Sequence, residues 1–108
     1  MSLEQSSHEK EIEGKNIHAS FIEFSNAVLA FIWEGDNPRL GTTTITLPDK
    51  TSSQVIGERD VITSKIIGER LAVKYNKLAL VSTNLPKDFL LDQQLFALVD
   101  KFTGDKDE

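Results

Sequence analysis

Four consecutive apolar residues, Leu78–Val81, stand in the stretch NKLALVSTNLPKD at residues 76–88, which then turns polar and reaches Pro86. A strand with one face in water alternates apolar and polar residues. This one does not, so it is expected to be covered on both faces. The stretch AVLAFIWEG at 27–35 is also apolar on both faces. What covers the second face of such strands is therefore the main question for a chain of 108 residues.

Chain length and net charge limit the number of domains and the kinds of binding partner that this sequence allows. A length of 108 residues favours one domain, and folding at this size buries roughly 65% of the chain's surface. The net charge is −5 and the pI is about 5.0. This balance argues against binding to nucleic acid or to an anionic membrane, both of which need basic surface, and it permits a protein partner with a basic patch.

The chain has no cysteine, which excludes disulfides, thiolate catalysis and zinc–thiolate sites. Such a chain suits the cytoplasm or the nucleus. The N-terminal residues carry no apolar signal segment, and no apolar run approaches the roughly 18 residues of a membrane span.

Apolar periodicity and turn residues predict an α+β domain over residues 15–103, between disordered tails at 1–14 and 104–108. We expect an antiparallel sheet or sandwich of about five to six strands, flanked by two helices. The first three strands are expected to form a meander. The predicted strands are 16–24, 27–35, 40–48, a short fourth over 51–58, and 77–84; the predicted helices are 60–76 and 88–102.

The helix at 60–76 has two apolar sides, one with Ile62, Ile66 and Val73 and the other with Ile67, Leu71 and Tyr75. A helix of this kind either is well wrapped by its own fold or contacts a second protein chain, and the pattern favours neither reading. The helix at 88–102 has a single stripe that begins at Leu91, and it is expected to cover one face of the strand at 77–84.

Residues for catalysis or metal binding do not come together in the sequence. The two histidines, His8 and His18, lack the partner motifs of a hydrolase, and two histidines without cysteine serve a metal poorly. Phosphate-binding loops are absent. We therefore expect a non-enzymatic protein without a cofactor. Trp33, the single tryptophan, is expected to pack in the core from a central strand, with an interface anchor as the alternative.

Two motifs resemble the proteasome assembly chaperone 4 family. The first is FIWEG at 31–35, followed by PRL at 38–40. The second is GERLAVKYNKLALVSTNL at 68–85, whose matching residues are Gly68, Leu71, Ala72, Lys74, Asn76, Lys77, Val81, Ser82, Asn84 and Leu85. The order of predicted elements is also similar to that family, over about residues 16–102.

The resemblance implies a non-enzymatic chaperone that needs no nucleotide or metal. It implies a heterodimer with a protein like proteasome assembly chaperone 3, and transient binding to α-type subunits of the 20S proteasome while the α-ring assembles. Ile67, Leu71 and Tyr75 are then expected to face the partner chaperone. Glu34, Asp36 and Arg39 are expected to lie near an α-subunit. The alternative is a general sheet-and-helix adaptor, of the profilin-like or trafficking-scaffold kind.

Overall fold

A computed structural model describes residues 4–12, 14–49, 51–56, 61–85, 97, 99 and 100. These residues form a six-stranded sheet with one helix packed on it. The strands are β1 Glu4–Ile12, β2 Lys15–Glu23, β3 Ala27–Glu34, β4 Thr42–Thr46, β5 Ser52–Ile56 and β6 Leu78–Asn84, and the helix is α1 Val61–Tyr75. Apart from β1, each lies within or close to a predicted element.

The strand order β1-β2-β3-β6-β4-β5 corrects the prediction of an antiparallel sheet that begins with a three-stranded meander. β2 and β3 do form an antiparallel hairpin, but β3 pairs in parallel with β6, and β6 separates β3 from β4. A parallel pair needs a long crossover, which β4, β5 and α1 provide here. The loop at 35–41 is long enough to pass over one strand position. The apolar strand β6 therefore takes the central place.

The N-terminal segment also differs from prediction, because residues 4–12 form a strand and not a disordered tail. β1 pairs with β2 along its whole length, from Glu4 opposite Glu23 to Ile12 opposite Lys15. Gly14, with φ of 77°, makes the turn between them. Backbone pairing holds this polar segment in place, and its one apolar anchor is Ile12, which is fully buried. Composition registers side chains and not backbone pairing, so it misses a strand of this kind.

One side of the sheet packs on α1 and contains the core. Alternate residues of the central strands point to that side, and they are closed over by Ile67, Leu71 and Ala72 of the helix. Gly68 lets the helix approach the sheet, because a Cβ there would meet the side chains of Thr46 and Val81. The buried apolar residues on the strands are Ile12, Ile17, Ala19, Phe21, Val28, Ala30, Ile32, Ala79 and Val81.

The β4 side of this core is lined by hydroxyl groups. Thr42, Thr44 and Thr46 point towards α1 and are almost fully buried. Ser64 of α1 donates a hydrogen bond to the carbonyl of Thr42, at 3.2 Å, and its hydroxyl lies 2.9 Å from that of Thr83. Hydrogen bonds of this kind offset the cost of burying the hydroxyls of Ser64 and Thr83, whereas the buried hydroxyl of Thr44 has no hydrogen-bond partner among the described residues. The threonine face of β4 is therefore interior.

The prediction of two flanking helices is not borne out by the described residues, which contain one complete helix. Most of the second predicted helix, at 88–102, lies outside them, as does the predicted tail at 104–108. Of this region, residues 97, 99 and 100 have helical backbone. Val99 is buried in the core, and Asp100 forms an exposed ion pair with Arg70 of α1, at 3.1 Å.

Candidate protein-interaction surface

The side of the sheet away from α1 carries apolar residues that stay half-exposed. Among the described elements none packs on this side, which we call the open face. Its centre is a row across four strands, in which Ile22 lies opposite Leu29, Leu29 beside Leu80, and Leu80 opposite Ile45. The large apolar residues of the open face that are half-buried are Ile22, Leu29, Phe31, Trp33, Ile45, Leu78 and Leu80. β6 is therefore covered by α1 on one face and only partly covered on the other.

The rim of the open face is polar on the β1 side. The β1 residues opposite Ile22, Ser20, His18 and Asn16 of β2 share this face, and all four are exposed; they are Gln5, Ser7, Glu9 and Glu11. An apolar centre with a polar rim is the usual anatomy of a protein–protein interface.

The loop at 35–41 borders the open face and is held down by β6. The backbone N–H of Gly41 donates to the hydroxyl of Ser82 at 2.9 Å, and the side-chain amide of Asn84 donates to the carbonyl of Leu40 at 3.0 Å. Gly41 has to be glycine here, because a Cβ would lie 2.8 Å from the Cα of Asn84. Ser82 and Asn84 thus position the loop, a role that the sequence motif did not reveal.

A groove of about 330 Å³ lies between this loop and β3, and its lining is mainly apolar. Leu40, at its edge, is 65% exposed, which makes it the most exposed large apolar side chain among the described residues. Arg39 stands at the same edge. The groove is lined by Ser20, Phe31, Trp33, Pro38, Arg39 and Leu40.

Trp33 lies on the central strand β3, as expected, but it faces the open side and not the core. Its ring stacks on that of His18, with centroids 5.5 Å apart and planes at 7°. The indole Nε1 of Trp33 and the Nε2 of His18 are buried and have no hydrogen-bond partner among the described residues. Buried polar atoms normally have one. This position favours the interface-anchor reading of Trp33.

A second, polar cleft of about 220 Å³ lies where β3 ends and the loop begins. It brings together Glu34, Asp36 and Arg39, the three residues predicted to lie near an α-subunit, and all three are exposed. Gly35, Asn37 and Asn84 complete its lining. The structure therefore gathers these residues into one site, while their contact with an α-subunit stays a prediction.

The predicted contact with a partner chaperone needs correction on α1. Ile67 and Leu71 are 0% and 1% exposed and pack against this chain's own sheet, so they have no surface to offer a partner. Tyr75 is half-buried, and its ring lies 5.3 Å from that of Phe21. The apolar side of α1 that reaches solvent is the other one, where Val73 is 52% exposed. Amphipathic spacing identifies two sides but not which one meets the sheet.

The motif residues at 68–85 have structural roles. Asn76, with φ of 54°, ends α1 in the left-handed conformation, and the N–H of Lys77 returns to the carbonyl of Ala72 at 3.3 Å. The ammonium of Lys77 then reaches Glu23 at 2.8 Å and the carbonyl of Phe24 at 2.9 Å. These contacts tie the junction of α1 and β6 to the turn between β2 and β3.

Chemical sites are not evident in the described part of the chain. No group of three or more histidine, aspartate or glutamate side chains there could hold a metal ion. None of the described helices combines the length and apolar character needed to cross a bilayer. The open face and its loop have the apolar centre and polar rim that are typical of protein–protein interfaces.

Comparison with known proteins identifies the fold. No family model and no curated protein matches the sequence. Among solved structures, the chain is similar to one in the crystal structure of a novel chaperone complex for yeast 20S proteasome assembly, with a TM-score of 0.66 and 9% sequence identity. The match covers 100% of both chains. At this identity the likeness shows the fold alone, which this chain shares with a chain of that yeast complex.

Proposed function

We propose that this chain is a non-catalytic chaperone subunit that acts in assembly of the 20S proteasome. In this proposal it pairs with a second, related chaperone and binds α-type subunits while the α-ring forms, in the cytoplasm and nucleus. The observation that carries the proposal is the full-length likeness of its fold to a chain of a yeast 20S proteasome assembly chaperone complex. The two motifs that resemble proteasome assembly chaperone 4 point the same way.

The open face is the part of the molecule best suited to the partner chaperone. Its central row of Ile22, Leu29, Leu80 and Ile45 carries no charge, and Trp33 is a side chain of the kind that anchors interfaces. A related chain with a similar apolar sheet face would cover these residues and exclude water from them. This assignment replaces Ile67 and Leu71 as the contact residues.

The loop at 35–41 is the part best suited to the α-subunit. Glu34, Asp36 and Arg39 lie exposed around one cleft, and the chain as a whole carries a net charge of −5. Exposed charges of this kind raise the association rate and set orientation more than they raise affinity. A contact of that type suits a chaperone that has to leave the assembled particle.

The proposal is tested by purification of the tagged chain from cells of its source, followed by mass spectrometry of the proteins that copurify. We expect α-type subunits and a second small chaperone, without mature catalytic β-subunits. Recovery of cytoskeletal or trafficking proteins without α-subunits would contradict the proposal and would favour a general adaptor.

A matched pair of variants assigns the surface. Leu40→Asp adds a charge beside the groove of the open face, whereas Val73→Asp adds the same charge on the solvent side of α1; both side chains are more than half exposed. Leu40→Asp should lose the second chaperone, and Val73→Asp should retain it. Equal recovery of the second chaperone with both variants would contradict the assignment to the open face. Far-ultraviolet circular dichroism of each variant checks that it is folded.

A further inference from the structure

The two edges of the sheet differ in how they are protected. An edge strand presents unpaired backbone groups, and proteins commonly guard such edges with charged side chains. β1 is protected from pairing with another chain in this way, because it carries the charged residues Glu9, Lys10 and Glu11 in succession. β5, at the other edge, has the sequence SSQVI and no charge at all.

β5 is also largely exposed to solvent. Residues 53–56 are all exposed, and Val55 and Ile56 retain 53% and 51% of their surface in solvent. Both are β-branched, which favours extended backbone. Short segments with high strand propensity, little charge and no proline pair readily with other strands when they lie at an edge.

We propose that the β5 edge is a self-association surface, at which β5 of a second copy of this chain adds antiparallel to β5 of the first. A two-fold axis pairs the strand with an identical strand that runs in the opposite direction, so if residue i of one copy lies opposite residue j of the other, then j also lies opposite i. With Gln54 on the axis, Ser53 would lie opposite Val55 and Ser52 opposite Ile56. With Ser53 on the axis, Ser52 would lie opposite Gln54. Neither register brings like charges together.

The same charge pattern explains why pairing stops at two copies. Joining two β5 edges leaves only the two β1 edges at the ends of the joined sheet. In β1, Glu9 and Glu11 are exposed on the open face with Lys10 between them in sequence. These charges oppose further strand addition. The product is therefore a closed dimer and not a fibre.

The bulge in β5 and the short length of the strand limit the expected affinity of the dimer. The ladder with β4 shifts register between Thr43 and Thr44, so that Ile56 lies opposite Thr43 and Gln54 opposite Thr44, with Val55 as the extra residue. A bulge bends the strand and shortens the run that can pair. A contact of about five residues per chain is also far smaller than a typical stable interface of about 800 Å² per partner. We expect association only at roughly 0.1 mM protein and above.

Charge variants at Ser53, whose side chain is exposed on β5, test the proposal by sedimentation velocity over a range of protein concentrations. The wild-type chain should show a concentration-dependent dimer. Ser53→Lys and Ser53→Glu should each weaken it at least about tenfold, and an equimolar mixture of the two variants should restore it. The opposite charges of the mixture lie directly opposite each other with Ser53 on the axis and at diagonal positions with Gln54 on the axis. Ser7→Lys, at an exposed position on the guarded edge strand β1, is the matched control and should leave the dimer unchanged.

Several outcomes would overturn the proposal. They are a wild-type chain that stays monomeric up to about 0.5 mM, a dimer that both Ser53 variants leave intact, a mixture that does not restore association, and equal weakening by Ser7→Lys. A dimer that Leu40→Asp abolishes and the Ser53 variants do not would place self-association on the open face instead. None of these outcomes bears on whether the chain copurifies with proteasome subunits. The proposed chaperone function and the proposed self-association are therefore tested independently.

Discussion

Single side chains in the second motif determine how the elements meet. Asn76 ends the helix, Lys77 bridges to the turn between β2 and β3, and Ser82 and Asn84 hold the loop at 35–41. All of these contacts lie within the chain. The positions that resemble a chaperone family therefore include residues that hold the fold together.

Gly41 allows a close approach of the loop to β6, and its replacement tests this role. A Cβ at Gly41 would come within 2.8 Å of backbone atoms of Thr83 and Asn84, which cannot move aside as a side chain can. Gly41→Ala should lower the free energy of unfolding by about 1–3 kcal/mol or more, as measured in urea. Gly14→Ala is the control, since that site has a positive φ but open space around it. A larger loss at Gly14 would contradict this account.

Asp49 gives a pH-dependent contribution to stability. The backbone N–H of Thr51 donates to its carboxylate at 2.8 Å, and this hydrogen bond lowers the pKa of Asp49 below its ordinary value of 3.8. Because the folded-state pKa is depressed, the contribution is present above the unfolded pKa and is lost as the pH falls through the folded pKa.

Thermal unfolding of the wild type and of Asp49→Asn checks this contribution. The difference in Tm between them should be constant above about pH 5 and should change below about pH 4, where the wild-type carboxylate becomes protonated. A difference independent of pH over that range would argue against a stabilising charge at this turn.

At the scale of elements, β1 and α1 differ most from expectation. β1 is polar along most of its length, yet it belongs to the sheet through its pairing with β2. α1 has two apolar sides, and the sheet covers the one that contains Ile67 and Leu71. In both cases the deciding contact comes from residues distant in sequence.

Ile12 is the residue that tests whether β1 is part of the folded domain. It is fully buried, whereas its neighbour Glu11 is exposed. Ile12→Ala should lower the free energy of unfolding by about 2–4 kcal/mol, because it leaves a cavity in the core. Glu11→Ala should change it by no more than about 0.5 kcal/mol. If urea unfolding gave the same small effect for both, β1 would be a dispensable tail.

At the scale of the whole molecule, the two sides of the sheet differ in their exposure to solvent. One side is closed by α1, and the other presents an apolar centre bordered by the loop at 35–41. The net charge of −5 adds a long-range field that favours a basic partner. This arrangement is the structural basis of the interaction surfaces proposed above.

Charge reversal at the polar cleft tests the contact proposed for the α-subunit. Asp36→Lys together with Arg39→Glu keeps the net charge at −5 but inverts the local pattern. We expect a slower association rate with α-subunits and a weaker dependence of that rate on salt, as measured by surface plasmon resonance. Glu9→Lys together with Lys10→Glu, at exposed positions on β1, serves as the control because it also keeps the net charge at −5. Unchanged kinetics and salt dependence in the double variant would exclude the cleft as a contact.

Most of the strands and the helix α1 could be predicted from the local sequence alone. Apolar runs, turn residues and helical spacing indicated β2, β3, β4, β5, α1 and β6 to within about two residues at most ends. The grouping of Glu34, Asp36 and Arg39 was predictable as well, because all three lie on or beside one short loop. These features depend on neighbours in the chain, so they are legible in the sequence.

Tertiary structure decided what depends on distant partners. The parallel pairing of β3 with β6, the inclusion of β1 and the inward side of α1 each follow from contacts between segments far apart in sequence. The position of Trp33 on the open face also follows from such contacts. Because β3 is apolar on both faces, its sequence does not show which face packs in the core. Strand pairing uses backbone groups that every residue carries. For that reason the order of strands, and with it the exposed surface, became clear only in the folded molecule.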